Sequence, residues 1–173
     1  MNLVAAAPLW LLVLLALAMV AAALEDAARF RISNITSLVV LVGAVAAGVI
    51  AGPTLALWQN GAVFLAILVL GTFAFSAGLF GGGDVKLFAA AGLWLDLHSA
   101  IGFVALVFLS GGVVAIGYLL ARPFRRRPTS RKSSRIPYGI AIAVGMLAVI
   151  VMDRGIPAHH ERTLPPVRII PVR

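Results

Sequence analysis

The feature that most constrains the fold of this chain is the spacing of its charged residues. No Asp, Glu, Lys or Arg occurs in residues 1–24, 35–83, 99–121 or 136–152. A helix that crosses the hydrocarbon core of a bilayer needs about 20 apolar residues. Of the 173 residues, 62% are hydrophobic and 12% are charged, which argues against a soluble domain of this size. We therefore predict an all-α polytopic membrane protein.

The sequence predicts about six transmembrane helices. Five of them are predicted at 6–24, 35–52, 55–79, 99–121 and 137–152. A sixth apolar stretch, 85–95, has only 11 residues. It is expected to form either a tilted helix that extends through Leu97 and beyond, or a half-buried helix. If it crosses, six spans leave both termini outside.

The positions of the basic residues favour this topology. The inner loops of the six-span model are 25–34, 80–86 and 122–136, and they hold ten of the fourteen Lys and Arg residues. This agrees with the positive-inside bias. No basic residue precedes the first span, which favours a retained helix over a cleaved signal peptide. We expect residues 1–152 to form one transmembrane domain and the proline-rich residues 153–173 to form a flexible extracytoplasmic tail.

The net charge of +8 does not by itself indicate a nucleic-acid partner. Seven basic residues fall within 122–135, in a loop between two predicted spans. Basic loops beside membrane spans mainly set orientation and contact anionic lipid. We therefore expect membrane lipids, and no nucleic acid, as partners of this loop.

Two of the six acidic residues are candidates for chemistry. Asp26 follows the first span and Asp84 precedes the fourth, so the topology places both on the cytoplasmic side. Acids at a membrane boundary are costly and point to function. The structural alternative is that Asp26 pairs with Arg29 and that Asp84 caps the following helix. The remaining acids are less favoured, because Asp96 and Asp153 are predicted outside and Glu161 lies in the tail.

A pair of carboxylates in one desolvated site can hydrolyse a peptide bond. One carboxylate ionises and acts as general base on a water, while the other keeps its proton and polarises the carbonyl group. Such a pair needs no metal, and the chain has no cysteine and no convincing serine–histidine pair. Gly81, Gly82 and Gly83 precede Asp84 and would let a substrate strand or water approach it, through close backbone approach or positive φ. The alternative is a flexible loop that ends in a helix cap.

Three segments of the chain resemble a known family. Residues 81–87, GGGDVKL, resemble the GxGD motif of type IV prepilin peptidases, which are intramembrane aspartic proteases. Residues 26–34, DAARFRISN, resemble the family's first catalytic segment, with Ser33 in place of the usual proline. Residues 137–141, PYGIA, resemble the start of its last conserved helix. The three occur in the family's order.

The resemblance implies that Asp26 and Asp84 are the catalytic pair and that the substrates are prepilins or pseudopilins. It implies cleavage of a short leader at the cytoplasmic face of the bacterial inner membrane. The lack of cysteine resembles the short form that serves tight-adherence (Flp-type) pili, and no cofactor or metal is assigned. The sequence does not indicate the oligomeric state or which prepilin is cleaved.

Four further residues are named as supporting residues: Gly81, Gly83, Asn34 and Lys86. Lys86 lies about 200° around a helix from Asp84, so it is expected to contact headgroups and not the acid. Asn34 either orients backbone near Asp26 or caps the second span. Tyr138 is expected to be an interfacial aromatic residue. His98 lacks a credible set of partner ligands for a metal.

Two other functions remain open from the sequence. A proton-coupled transporter would use the same acids as proton carriers, but it would need acids in the middle of the membrane, where the spans have none. A non-enzymatic subunit of a pilus or secretion assembly would tolerate the loss of both acids.

Overall fold

The computed structural model describes residues 1–121 and 138–155, and the regular elements in this part of the chain are all helices. The helices are α1 (Leu3–Ala6), α2 (Leu9–Arg29), α3 (Asn34–Ala51), α4 (Leu57–Ser76), α5 (Gly82–Gly92), α6 (Leu97–Ala121) and α7 (Tyr138–Gly155). The predicted all-α class is confirmed. The predicted loop 122–136 lies outside the described residues, and so does the predicted tail beyond residue 155.

The outward faces of the helices are apolar. Four helices of the described chain are long and apolar enough to cross a membrane: α2, α3, α4 and the Leu97–Gly117 part of α6. Large apolar side chains project outward from them, among them Leu9 at 73% and Val49 at 76% exposure. Soluble monomers rarely expose large continuous apolar surfaces. The prediction of a polytopic membrane protein is therefore confirmed.

The helix bundle has two ends, named here by their residues. These are the aspartate end (Asp26, Asp84 and Tyr138) and the N-terminal end (Asn2, Leu3 and Trp94). Helices α2 and α7 run antiparallel between them. The first turn of α7 contacts Asp26 at the aspartate end, and the Arg154 side chain donates to the Val4 carbonyl oxygen over 3.1 Å at the N-terminal end.

Helix α5 is short but connects the two ends. Its 11 residues correspond to about 16 Å, roughly half of a 30 Å hydrocarbon core. The chain nevertheless reaches the N-terminal end, because the segment before α2 folds back to meet it and Leu3 N–H donates to the Trp94 carbonyl oxygen over 2.9 Å. The expected extension of this helix through Leu97 is wrong, since α5 ends at Gly92 and α6 begins at Leu97. The sequence also allowed a half-buried helix here, and in the structure most residues of α5 are buried.

Helix α2 also ends later than the sequence predicts. The first span was expected to stop at residue 24, before the acids, but α2 continues to Arg29. Charged residues do not by themselves end a helix. The end comes at Phe30, which adopts a left-handed conformation with φ of 51° and donates its N–H to the Asp26 carbonyl oxygen over 2.9 Å. The extension takes Asp26 into the last turn of α2.

Small residues let the helices pack closely, as the many Ala and Gly residues of the spans predict. A Cβ at Gly71 of α4 would come within 2.7 Å of Val85 in α5, and one at Gly145 of α7 would come within 2.7 Å of Val107 in α6. Gly112 of α6, by contrast, has no such neighbour within 4 Å.

Two hydrogen bonds fix the turn that follows α5. The buried Trp94 ring donates its Nε1–H to the Val40 carbonyl oxygen over 3.0 Å, and the buried Asn60 side chain donates to the Leu93 carbonyl oxygen over 3.0 Å. These bonds hold α5 between α3 and α4, and this position fixes where the first turn of α5 lies.

Candidate active site

Asp26 is a buried carboxylate at the end of α2, with 4% of its surface exposed. Its Oδ2 accepts a hydrogen bond of 2.7 Å from the backbone N–H of Gly139, in the first turn of α7. A helix N-terminus presents unpaired N–H groups and a positive dipole end, which together favour a carboxylate. The fold thus partners Asp26 with a residue 113 positions away, in place of the Arg29 pairing that sequence left open.

Asp84 is the third residue of α5 and is half-buried. Its Oδ2 accepts a hydrogen bond of 3.0 Å from the Gly81 N–H. This contact closes the start of the helix, with Gly81 as the N-cap and Asp84 inside the first turn, whereas the alternative made Asp84 itself the cap. The capping contact does not withdraw Asp84 from the site, because the side chain also lines the cavity described next.

One cavity of about 310 Å³ brings Asp26 and Asp84 together. It lies at the aspartate end, and its lining comes from the end of α2, the segment between α4 and α5, and the start of α7. The lining residues are Asp26, Phe30, Phe75, Gly78, Leu79, Phe80, Gly81, Gly82, Asp84 and Tyr138. Two carboxylates that line one cavity can share a proton and activate a water between them. The space is large enough for a short stretch of polypeptide backbone.

The two supporting glycines have different surroundings. Gly81 lines the cavity, and a Cβ there would come within 2.7 Å of the Asp84 Oδ2. Gly83 lies outside the lining and packs on Ile32, where a Cβ would come within 3.1 Å of the backbone oxygen. Both glycines are closely approached by atoms of the protein itself, and the expected approach of a substrate strand or water stays a prediction. Positive φ is not present at either, since Gly81 has a φ of −79° and the positive-φ glycines of the described chain are Gly52 and Gly78.

The structure places Asn34 and Lys86 together but away from this cavity. Both are exposed, and Lys86 Nζ donates to Asn34 Oδ1 over 3.0 Å. Asn34 is the first residue of α3 and does not cap it. Ser33 does so, by accepting the Ile35 N–H over 3.1 Å.

Sequence reasoning missed three contributors to the site. Tyr138 was expected at the membrane interface, but it lines the cavity and its ring lies 4.8 Å from that of Phe80. Gly139 holds Asp26, and a Cβ there would come within 2.9 Å of the Asp26 Oδ2. Glu25 shapes the neighbouring turn by accepting the Ser33 N–H over 2.8 Å. The PYG segment at 137–139 was the sequence signal that could have indicated Tyr138 and Gly139.

Asp96 and Asp153 lie at the opposite end of the bundle. Asp96 precedes α6 and accepts the Ser99 N–H over 2.9 Å, and Asp153 accepts from the Asn2 side chain over 2.6 Å. Within residues 1–121 and 138–155, no group of three or more His, Cys, Asp or Glu side chains is arranged to hold a metal ion.

The fold and the site define a polytopic helical membrane protein with two carboxylates in one cavity at one end of the bundle. The model of the type IV leader peptidase family matches residues 13–116, more than half of the chain. The chain belongs to the type IV leader peptidase family. The matched region contains both aspartates and ends before α7. Neither the comparison with curated proteins nor that with solved structures gave a match.

Proposed function

We propose that the protein is an aspartic endopeptidase that removes the leader peptide of type IV prepilins or pseudopilins, with Asp26 and Asp84 as the catalytic pair. The observation that carries the proposal is the single cavity lined by both carboxylates. Family membership supports leader peptidase activity in general. The Flp-type substrate rests on the sequence resemblance alone.

The proposed reaction uses one proton shared by the two carboxyl groups. The ionised carboxylate takes a proton from a water, whose oxygen attacks the scissile carbonyl carbon. The protonated carboxyl group donates to the carbonyl oxygen, which stabilises the tetrahedral intermediate. The carbon–nitrogen bond then breaks and the leaving amine takes a proton. Both steps need the two carboxyl groups next to one another at one bound peptide bond, with the attacking water between them.

The contacts of the two acids suit this reaction. The Gly139 and Gly81 N–H groups each hold one oxygen of a carboxylate, which fixes the rotamers of Asp26 and Asp84. Phe30, Phe75, Phe80 and Tyr138 are among the residues that line the cavity. A bound peptide that displaces water from this cavity would strengthen the electrostatic interactions inside it.

We further propose that the aspartate end faces the cytoplasm. Arg29, Arg31 and Lys86 lie next to this end in the sequence, and the seven basic residues of 122–135 connect α6 to α7. The N-terminal end carries Asp96 and Asp153. This distribution supports a positive-inside orientation in a bacterial inner membrane.

The test is leader removal in cells. A candidate prepilin is co-expressed with the wild type, Asp26→Asn, Asp84→Asn or the control Asp96→Asn, and its mobility is followed on a gel. Asn can accept the same backbone hydrogen bonds but cannot serve as acid or base. Asn also replaces Asp well as a helix N-cap, so Asp96→Asn should fold normally.

We expect the wild type and Asp96→Asn to process the prepilin and the two active-site variants to leave it whole, while all four proteins accumulate in the membrane. Normal processing by either active-site variant would overturn the proposed pair. Processing by none of the four, across several prepilins, would overturn the proposed substrate class.

A further inference from the structure

A groove of about 310 Å³ lies between α3 and α4, with α5 beneath it. Helices α3 and α4 both pack on α5 but hardly touch one another, which leaves the space between them unfilled. This space is named here the α3–α4 groove, and the residues that matter for its chemistry are Asn34, Ser37, Leu41, Phe64, Lys86 and Ala90. The groove shares no lining residue with the active-site cavity.

One end of the groove is polar and carries a positive charge. Lys86 Nζ donates to Asn34 Oδ1 over 3.0 Å, so the described chain gives this ammonium an uncharged partner. Ser37 adds a hydroxyl group to the wall and is 6% exposed, and this hydroxyl donates to the Ser33 carbonyl oxygen over a long 3.5 Å. An ammonium, an amide and a hydroxyl group together can donate several hydrogen bonds to one anion.

The remainder of the groove is apolar and open to the outside of the bundle. Ala90 of α5 forms part of the floor and is 2% exposed, whereas Leu38 at the rim is 56% exposed. The walls consist of apolar side chains of α3 and α4, namely Leu38, Leu41, Phe64 and Leu68. Residues 34–41 of α3 cover about 10 Å along the helix, which lies within the depth of about 15 Å that one leaflet contributes to the hydrocarbon core.

The order of these groups matches the order of groups in a phospholipid. A phosphate at the membrane surface meets Lys86, and an acyl chain below it meets the apolar walls. The volume falls at the lower end of the range of about 300–1,000 Å³ that is usual for pockets that hold small molecules. A free phosphate ion would leave the apolar walls uncovered. A zwitterionic lipid carries an ammonium of its own, which competes with Lys86 for the phosphate.

We propose that the α3–α4 groove is a binding site for one anionic phospholipid. Its phosphate accepts hydrogen bonds from Lys86, Asn34 and Ser37, and one acyl chain lies between Leu41 and Phe64. Because Asn34 belongs to α3 and Lys86 to α5, the bound phosphate ties these helices together close to the first turn of α5, which contains Asp84. The proposal does not depend on the proposed peptidase activity.

The first test measures lipid affinity after the loss of one charge. The purified full chain is titrated with phosphatidylglycerol or phosphatidylethanolamine of identical acyl chains, and the bound lipid is counted by native mass spectrometry. Lys86→Gln removes the positive charge of the groove. The control Arg31→Gln removes one positive charge from an exposed side chain in the turn that follows α2, outside the groove lining.

We expect the wild type and Arg31→Gln to bind phosphatidylglycerol more tightly than phosphatidylethanolamine. Lys86→Gln should weaken phosphatidylglycerol binding by about 10-fold to 100-fold, the effect of losing one charge-assisted hydrogen bond. Equal losses in the two variants would reveal general charge attraction and overturn the site. Displacement of the lipid by inorganic phosphate would show that the acyl chain adds nothing, and would overturn it too.

The second test leaves Lys86 in place. A photoreactive phenylalanine analogue replaces Phe64 in the groove, or the neighbouring Leu65, which is 57% exposed, outside the groove and at nearly the same depth. The proteins are placed in vesicles of phosphatidylglycerol and phosphatidylethanolamine. Enrichment of phosphatidylglycerol in the cross-links from position 64, but not in those from position 65, supports the site. The same lipid composition at both positions overturns it, and so does capture of an added leader-bearing helix by position 64 in place of lipid.

Discussion

The contact between Gly139 and Asp26 gives the sharpest prediction of the structure. Gly139 donates its N–H to the Asp26 Oδ2 over 2.7 Å, and its Cα faces the same carboxylate. A Cβ at this position would come within 2.9 Å of the Asp26 Oδ2 and within 3.0 Å of the Asp26 Cβ. Gly139→Ala keeps the N–H donor but forces the carboxylate to move.

The size of the effect follows from that distance. Ordinary van der Waals contact begins at 3.4 Å, so Asp26 must retreat by about half an ångström. Catalytic groups have to be held within about 0.5 Å of the productive geometry, and a displacement of about 1 Å can cost about 100-fold in rate. We expect Gly139→Ala to lower kcat by about 10-fold to 100-fold. KM should change little, because the substrate-facing walls stay in place.

The assay measures initial rates of leader removal with purified protein in detergent, and thermal unfolding followed by circular dichroism. The matched control is Gly112→Ala in α6, where a Cβ would meet nothing within 4 Å. The control should keep the wild-type rate. Alanine is favoured over glycine inside a helix by about 1 kcal/mol, so neither variant should lose its helical fold.

A wild-type kcat in Gly139→Ala would refute this reasoning, because it would mean that the position of Asp26 does not limit the reaction. Loss of helical signal in Gly139→Ala but not in Gly112→Ala would show that the contact serves folding and not the geometry of the carboxylate.

Two further predictions concern stability. Glu25→Ala removes the acceptor of the Ser33 N–H and of the Thr36 hydroxyl, which lie 2.8 Å and 3.1 Å from its carboxylate, and should lower the free energy of unfolding by about 1–3 kcal/mol in a detergent melt. Burial by itself raises the pKa of Asp96, but hydrogen bonds from Ser99 together with the charges of the N-terminus and His98 outweigh it and hold the pKa below its ordinary value. The ionised form is therefore favoured by folding, so its contribution is present above the pKa of the unfolded chain and is lost as the pH falls through the folded pKa. The wild type should lose more Tm than Asp96→Asn when the pH falls below about 4, and parallel Tm curves would contradict this.

The spacing of the charged residues predicted most of the fold. The charge-free stretches correspond to α2, α3, α4, α6 and α7, with ends that differ by a few residues. Because successive spans cross the membrane in opposite directions, the sequence also placed Asp26 and Asp84 at one end of the bundle and Asp96 and Asp153 at the other. These features follow from bilayer thickness and hydropathy, which act along the sequence and need no knowledge of packing.

The features that sequence missed depend on contacts between distant segments. Helix α5 can be short because the N-terminal segment folds inward and Leu3 meets Trp94, and nothing local in residues 85–95 signals this. Gly139 contacts Asp26 across 113 positions. Tyrosine is a residue type that is common at membrane interfaces, so the sequence placed Tyr138 there. In the fold its ring packs against that of Phe80, which lies between α4 and α5.

The most direct test of the account is a comparison of four purified proteins: the wild type, Asp26→Asn, Asp84→Asn and the double variant. The initial rate of leader removal is measured for each at the same substrate concentration. Residues that act as one catalytic unit are not additive, so losing either should cost about as much as losing both. The account predicts that each single variant falls to the rate of the double variant. A single variant that keeps the wild-type rate, or two partial losses that multiply to give the double variant, would contradict a catalytic pair.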